Sequence, residues 1–126
     1  MSAPTVLIVE DNPKNRKIMA DLLRHNGYRF IEAEDGQAGV EKAIAERPDL
    51  ILMDIQLPRM DGYEATRRLR ANEATRGIPI IVITSFAMKD EEARARAAGC
   101  DEYMTKPIDI HAFVATVKRY APPRGE

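Results

Sequence analysis

The sequence predicts an α/β fold of five parallel strands alternating with five helices. Three observations predict it. Val6-Leu7-Ile8-Val9, Leu50-Ile51-Leu52-Met53 and Ile80-Ile81-Val82-Ile83 are unbroken apolar runs, the pattern of strands covered on both faces. Between such runs lie longer stretches with apolar residues at helical spacing. Arg29-Phe30-Ile31-Glu32-Ala33 and Glu102-Tyr103-Met104 are mixed in polarity, as strands at the two edges of a sheet are.

Each helix carries its own signals. The first has Asn12 as a cap, Pro13 at the first helical position, a stripe of Ile18, Met19, Leu22 and Leu23, and Gly27 at its end. The second, from about Gln37 to Glu46, sets Val40, Ala43 and Ile44 on one side. The third starts at Asp61-Gly62-Tyr63-Glu64, where Asp61 can cap and Glu64 can reach back. The fourth, about Asp90 to Ala98, has only alanines as apolar residues, and the fifth carries Ile110, Phe113, Val114 and Val117. Right-handed crossovers put such helices on both faces of the sheet. With strands two and five outermost, the strand order is 2-1-3-4-5, the flavodoxin-like doubly wound arrangement. The 126 residues suit one domain, with a core from about residue 5 to 120 and a short C-terminal tail.

Composition narrows the function. Lys and Arg number 19 against 20 Asp and Glu, for a net charge of −1. That balance argues against a chain devoted to nucleic acid, which carries a basic excess. The cluster Arg67, Arg68 and Arg70 reads as helix-surface charge. Cys100 is the only cysteine, so no internal disulfide forms, and beside Gly99 it reads as a small packing residue. The segment Met1-Ser2-Ala3-Pro4 lacks the apolar stretch of a signal peptide, and no apolar run approaches membrane-spanning length. A cytoplasmic protein without membrane attachment is the expectation.

In a doubly wound sheet, ligands bind at the carboxyl ends of the strands near the point where strand order reverses. Strand one ends at Glu10-Asp11, strand three at Asp54 and strand four at Thr84-Ser85, and strand five is followed by Lys106-Pro107. Taken singly, an acidic pair after a strand is commonly a solvated turn, and a lone Asp or a Lys-Pro step says little. Their co-occurrence at four strand ends is the signal. Two unit charges about 4 Å apart repel by about 4 kcal/mol at an effective dielectric near 20. Glu10, Asp11 and Asp54 together therefore call for a cation or a raised pKa. A hard divalent ion such as Mg²⁺ takes carboxylates, waters and phosphate as ligands. Asp54 can act as a carboxylate nucleophile toward phosphorus. Lys106 offers a positive charge and Thr84 a hydroxyl to phosphoryl oxygens. Phosphoryl transfer asks mainly for positioning and charge stabilisation, so neither His25 nor His111 is needed, and both read as helix-surface residues.

At these residues the chain resembles the receiver domains of two-component response regulators. The resemblance runs from about Thr5 to Tyr120. It is carried by Val6-Leu7-Ile8-Val9-Glu10-Asp11-Asn12, Met53-Asp54-Ile55-Gln56-Leu57-Pro58 with Asp61-Gly62, Ile83-Thr84-Ser85 and Tyr103-Met104-Thr105-Lys106-Pro107. Met53 to Pro58 and Phe86-Ala87-Met88-Lys89 look most like stand-alone, DivK-type regulators. Receivers attached to hybrid histidine kinases are similar there too. The resemblance implies that Asp54 is phosphorylated. It further implies that Asp11 and Asp54 bind Mg²⁺ directly, that Glu10 binds it through water, and that the Gln56 backbone carbonyl completes the protein ligands. Thr84 and Lys106 match phosphoryl-contacting switch residues, Tyr103 matches the aromatic switch position, and a cis Lys106-Pro107 bond is expected. Phe86, two residues past Thr84, stands where the phosphoryl lifetime is tuned, and with Met88 it can also form part of a partner surface.

The expected output is a change at the surface of helix four, strand five and helix five, read as altered affinity for a downstream protein or as reversible self-association. The phosphodonor would be a histidine kinase or a histidine phosphotransfer protein. The chain is thus expected to be a signalling switch, not an enzyme. Two alternatives remain open: an excised receiver of a hybrid histidine kinase, and a Mg²⁺-dependent phosphatase working through an aspartyl phosphate.

Overall fold

The structure is a computed structural model and describes residues 3–85 and 90–123. The elements alternate strictly: β1 (Thr5–Val9), α1 (Pro13–His25), β2 (Arg29–Ala33), α2 (Gly36–Glu46), β3 (Leu50–Met53), α3 (Gly62–Ala71), β4 (Ile80–Thr84), α4 (Glu91–Ala98), β5 (Glu102–Thr105) and α5 (Ile110–Tyr120). The five strands form one parallel sheet in the order β2-β1-β3-β4-β5. The expected fold and strand order are therefore present.

Side-chain alternation divides the core in two. Val6, Ile8, Leu50, Leu52, Ile81 and Ile83 face α1 and α5 and pack with Met19, Leu23, Phe113 and Val117. Leu7, Val9, Ile51, Met53, Ile80 and Val82 face the other way, toward Val40 and Ala43 of α2, Leu69 of α3 and Ala95 of α4. Residues two apart on a strand share a face, and β1, β3 and β4 are each apolar on both. That is why the runs carry no polar alternation.

The helix starts follow from capping. The Asn12 side chain accepts hydrogen bonds from the N–H groups of Lys14 and Asn15, Asp35 from Ala38, and Asp109 from Ala112. Asp61 accepts from the Glu64 N–H, as expected. Glu64 does not complete a reciprocal cap; its carboxylate pairs with Arg67 and Arg68 one turn on.

The amphipathic stripes are narrower than the sequence suggests. Met19 and Leu23 are buried while Ile18 is 49% exposed, and Phe113 and Val117 are buried while Ile110 is 55% exposed. Each exposed residue sits at the margin of its stripe. The arginine cluster also needs a correction. Arg67 and Arg68 are surface charges, but Arg70 reaches across the amino-terminal side of the sheet. Its guanidinium donates to the carbonyls of Gly99 and Ile78 and pairs with Asp101 at 2.7 Å.

α4 buries Ala95 and Ala98, as the sequence implies, and also Glu91. Arg94 lies 4.3 Å above the Tyr63 ring of α3 and 3.4 Å from Glu91. The Tyr63 hydroxyl is buried without a hydrogen-bond partner among the described residues. Burial, followed by the neighbouring Glu91 carboxylate, raises its pKa. Arg94 thus adds a cation–π contact from α4 to α3 beside the buried alanines. No helix among the described residues is long and apolar enough to cross a membrane.

Candidate functional site

Strand register assembles the site. Val9 pairs with Met53 across β1 and β3, so the residues that follow emerge side by side at the carboxyl edge. The Asp54 N–H donates to the Val9 carbonyl at 3.0 Å. Thr84 pairs with Thr105 across β4 and β5, and the Lys106 N–H donates to the Thr84 carbonyl at 2.9 Å. Lys106 thereby leaves the sheet beside Thr84 and reaches toward β1 and β3.

Glu10, Asp11 and Asp54 each present a carboxylate oxygen within 4.8 Å of the others. Glu10 and Asp54 are buried and Asp11 is exposed. The Lys106 ammonium donates to Glu10 Oε1 at 2.5 Å and to Asp54 Oδ2 at 3.2 Å. The remaining oxygens of both carboxylates have backbone donors: Asn12 N–H to Glu10 Oε2 at 3.1 Å and Ile55 N–H to Asp54 Oδ1 at 2.7 Å. Burial raises the pKa of Glu10, with the Asp54 charge adding to it, and hydrogen bonds from Lys106 and the Asn12 N–H offset only part of the rise. Burial alone would lower the pKa of Lys106, but the Glu10 and Asp54 carboxylates outweigh it, and its pKa lies above the ordinary lysine value.

Three carboxylates here face one ammonium, so the cluster keeps an excess of negative charge. Its donors are all oxygen, and the exposed Asp11 leaves one side open to water. That donor set fits a hard divalent cation with retained waters and excludes a soft-metal site.

The other expected residues fall around this centre. Thr84 is fully buried at the end of β4. Tyr103, on β5, is half-buried against the core shared by α2, α3 and α4. Gln56 lies two residues past Asp54 in the β3–α3 loop with its side chain exposed. The Lys106-Pro107 peptide bond is cis, as expected. Phe86 and Met88 lie outside the described residues. His25 and His111 are exposed on α1 and α5, and Cys100 is buried in the core.

Of the supporting residues, Arg16 alone lies outside the motifs quoted above; Asn12, Ile55 and Gly62 lie within them but act through backbone groups or close packing. The N–H groups of Asn12 and Ile55 are backbone donors, invisible in a side-chain pattern. Arg16 donates to the carbonyls of Glu10 and Asp11. Gly62 brings the start of α3 against the Asp54 backbone; a Cβ there would lie 2.1 Å from the Asp54 carbonyl oxygen.

Comparison with known proteins agrees with this geometry. Residues 6–118 match the model of the response regulator receiver domain. The polar-differentiation response regulators DivK of Brucella anthropi and Brucella ovis are each 46% identical over 116 residues, spanning 92% of this chain and 94% of theirs. The receiver domain of the sensor histidine kinase PA1611 from Pseudomonas aeruginosa, solved with a magnesium ion in its active-site cleft, superposes with a TM-score of 0.89. It is 38% identical, and the match covers 95% of this chain and 98% of that one. The receiver domain of a histidine kinase from Syntrophus aciditrophicus gives 0.88 at 33% identity, over 94% and 90% of the two chains. The chain belongs to the response regulator receiver domains, phosphoacceptor modules of two-component signalling rather than enzymes in the ordinary sense.

Proposed function

We propose that Asp54 accepts a phosphoryl group from a phosphohistidine on a histidine kinase or histidine phosphotransfer protein, and that the modified chain is read by a protein partner through α4, β5 and α5. The observation that carries this reading is the Lys106 ammonium bridging Glu10 and Asp54 at the carboxyl edge of the sheet. A cation held at the point where two strand ends present carboxylates is what an incoming phosphoryl group requires.

In the transfer, an Asp54 carboxylate oxygen attacks phosphorus, the bond from phosphorus to the donor imidazole nitrogen breaks, and the imidazole leaves with its electron pair and takes a proton from water. Lys106 pairs with the phosphoryl oxygens, and the Thr84 hydroxyl donates to them. Asp11 and Asp54, with Glu10 through water and the Gln56 carbonyl, would hold Mg²⁺. When bound, the ion offsets the charge of the carboxylates and the transferred group.

The signal follows from what moves. Drawing Thr84 toward the phosphoryl group makes room for Tyr103, and α4 repositions with it. Phe86 and Met88 belong to the same proposed surface, as does Pro107. Carrying the population from mostly off to mostly on needs about 5.5 kcal/mol of differential stabilisation, to which charge-assisted contacts of a phosphoryl group contribute. The output is a changed affinity for a downstream protein or self-association, in the cytoplasm.

The likeness to DivK over nearly the whole of both chains supports a single free-standing receiver. The likeness to receivers of sensor kinases supports a second reading, a receiver unit of a hybrid kinase. The size of the native polypeptide on a denaturing gel of source-cell extract separates the two.

The test is incubation with acetyl phosphate and Mg²⁺ followed by intact-mass measurement. One phosphoryl group is expected, and both Asp54→Asn and chelation should abolish it. Undiminished labelling of D54N would overturn the assignment. Lys106→Ala should accept phosphate yet bind the downstream partner equally before and after. Turnover of phosphate esters by the wild type would instead favour a phosphatase.

A further inference from the structure

The geometry points to Arg16 as a positioning residue for the acidic pair, an inference that rests on the metal-dependent reading above. Arg16 stands at the end of the first turn of α1. Helical side chains lean toward the amino terminus of their helix, and this one leans back over the β1–α1 loop. Its Nη1 donates to the Glu10 carbonyl at 2.9 Å and to the Asp11 carbonyl at 3.3 Å. Its charge forms no ion pair among the described residues. A guanidinium is therefore committed to two backbone oxygens of the residues that bear the carboxylates.

The loop needs such a brace because its two acids are held unequally. The Glu10 side chain is fixed at both oxygens, by Lys106 and the Asn12 N–H, and its own N–H donates to the Ala33 carbonyl at 3.0 Å. The Asp11 carboxylate accepts no hydrogen bond from a described residue, and it is exposed. Only its backbone aims it at the Asp54 carboxylate. Arg16, by clamping the carbonyls before and after the Asp11 N–H, fixes that backbone. Removing the clamp leaves all three acids in the sequence but lets the exposed one wander.

The sign of the effect separates this role from simple electrostatics. Arg16 is a positive charge near a proposed cation site, so if charge were its whole contribution, removing it would tighten cation binding. A positioning role predicts the opposite. Partners that orient metal ligands typically cost about tenfold or more in affinity when lost.

The test is calorimetric titration with MgCl₂ of the wild type, Arg16→Met and Arg16→Lys, with thermal melts in EDTA. Arg16→Met should bind Mg²⁺ about tenfold more weakly while its melt in EDTA stays close to wild type. In acetyl phosphate labelling, its half-saturating Mg²⁺ concentration should rise, with the rate at saturating Mg²⁺ kept. Arg16→Lys retains the charge on a single, shorter-reaching donor nitrogen and should fall between the two; it also serves if Arg16→Met folds poorly. Equal or tighter Mg²⁺ binding by folded Arg16→Met, or a lowered EDTA melt with unchanged affinity, overturns the positioning role and leaves the proposed function standing. A wild type that binds no Mg²⁺ overturns both.

Discussion

Lys106 and Glu10, 96 residues apart in the chain, form an ion pair of 2.5 Å at the rim of the sheet. Glu10 is almost wholly buried there. The pair leaves Lys106 shared between two carboxylates before any phosphoryl group arrives. It also sets the Glu10 carboxyl in an environment that penalises its charge. Burial is the larger influence, and the pKa lies above the ordinary value of 4.5.

That direction fixes a pH dependence. A carboxyl whose folded pKa is raised contributes stability that is complete below its unfolded value and is lost as pH rises through the folded one. In EDTA, the stability of Glu10→Gln relative to wild type should therefore improve as pH is raised from below 4.5 toward neutrality. Urea denaturation at several pH values measures it. A relative stability that falls over that window would contradict the proposed environment of Glu10.

Gly62 should tolerate no side chain. A methyl group would lie 2.1 Å from the Asp54 carbonyl oxygen and 2.8 Å from Ile55 Cα, both backbone atoms that cannot turn aside. Gly62→Ala is expected to lose about 2–3 kcal/mol to overpacking and to slow acetyl phosphate labelling by displacing the Asp54 backbone. Denaturant melts and intact-mass time courses read the two effects. Wild-type stability in this variant would mean that α3 does not pack as tightly on β3 as described.

Cys100 is buried, and burial pushes its thiol pKa up to about 11. At pH 8 only about one thiol in a thousand is ionised, and thiolate is the reactive form. Iodoacetamide should label the native protein at least about a hundredfold more slowly than the urea-unfolded chain. Comparable rates would place Cys100 at the surface.

The sheet was legible because its signal is local. Three strands are apolar on both faces, and Arg29–Ala33 and Glu102–Thr105 lie at the edges that their mixed polarity indicates. The acidic cluster was legible because a parallel sheet turns separate strand ends into neighbours. What stayed hidden depends on chain segments meeting at distances no local pattern encodes. Arg70 looks like its neighbours Arg67 and Arg68 in sequence, yet it alone reaches Asp101, 31 residues on. Gly62 belongs to a recognisable motif, but the reason it is glycine shows only once the Asp54 backbone is seen against it. Glu91 looks like a solvated first-turn acid, but Tyr63 and Arg94 cover it. Ile18 and Ile110 look buried by spacing, and only the actual positions of α1 and α5 leave them exposed.

The central claim is that Asp54 carries the phosphoryl group. Reduction of an acyl phosphate by sodium borohydride converts an aspartyl residue to homoserine and marks its position permanently. Protein treated with acetyl phosphate and Mg²⁺, reduced, digested and sequenced by tandem mass spectrometry should carry homoserine at position 54 and aspartate at position 11. Homoserine at another position, or none in protein whose intact mass shows a phosphoryl group, would contradict it.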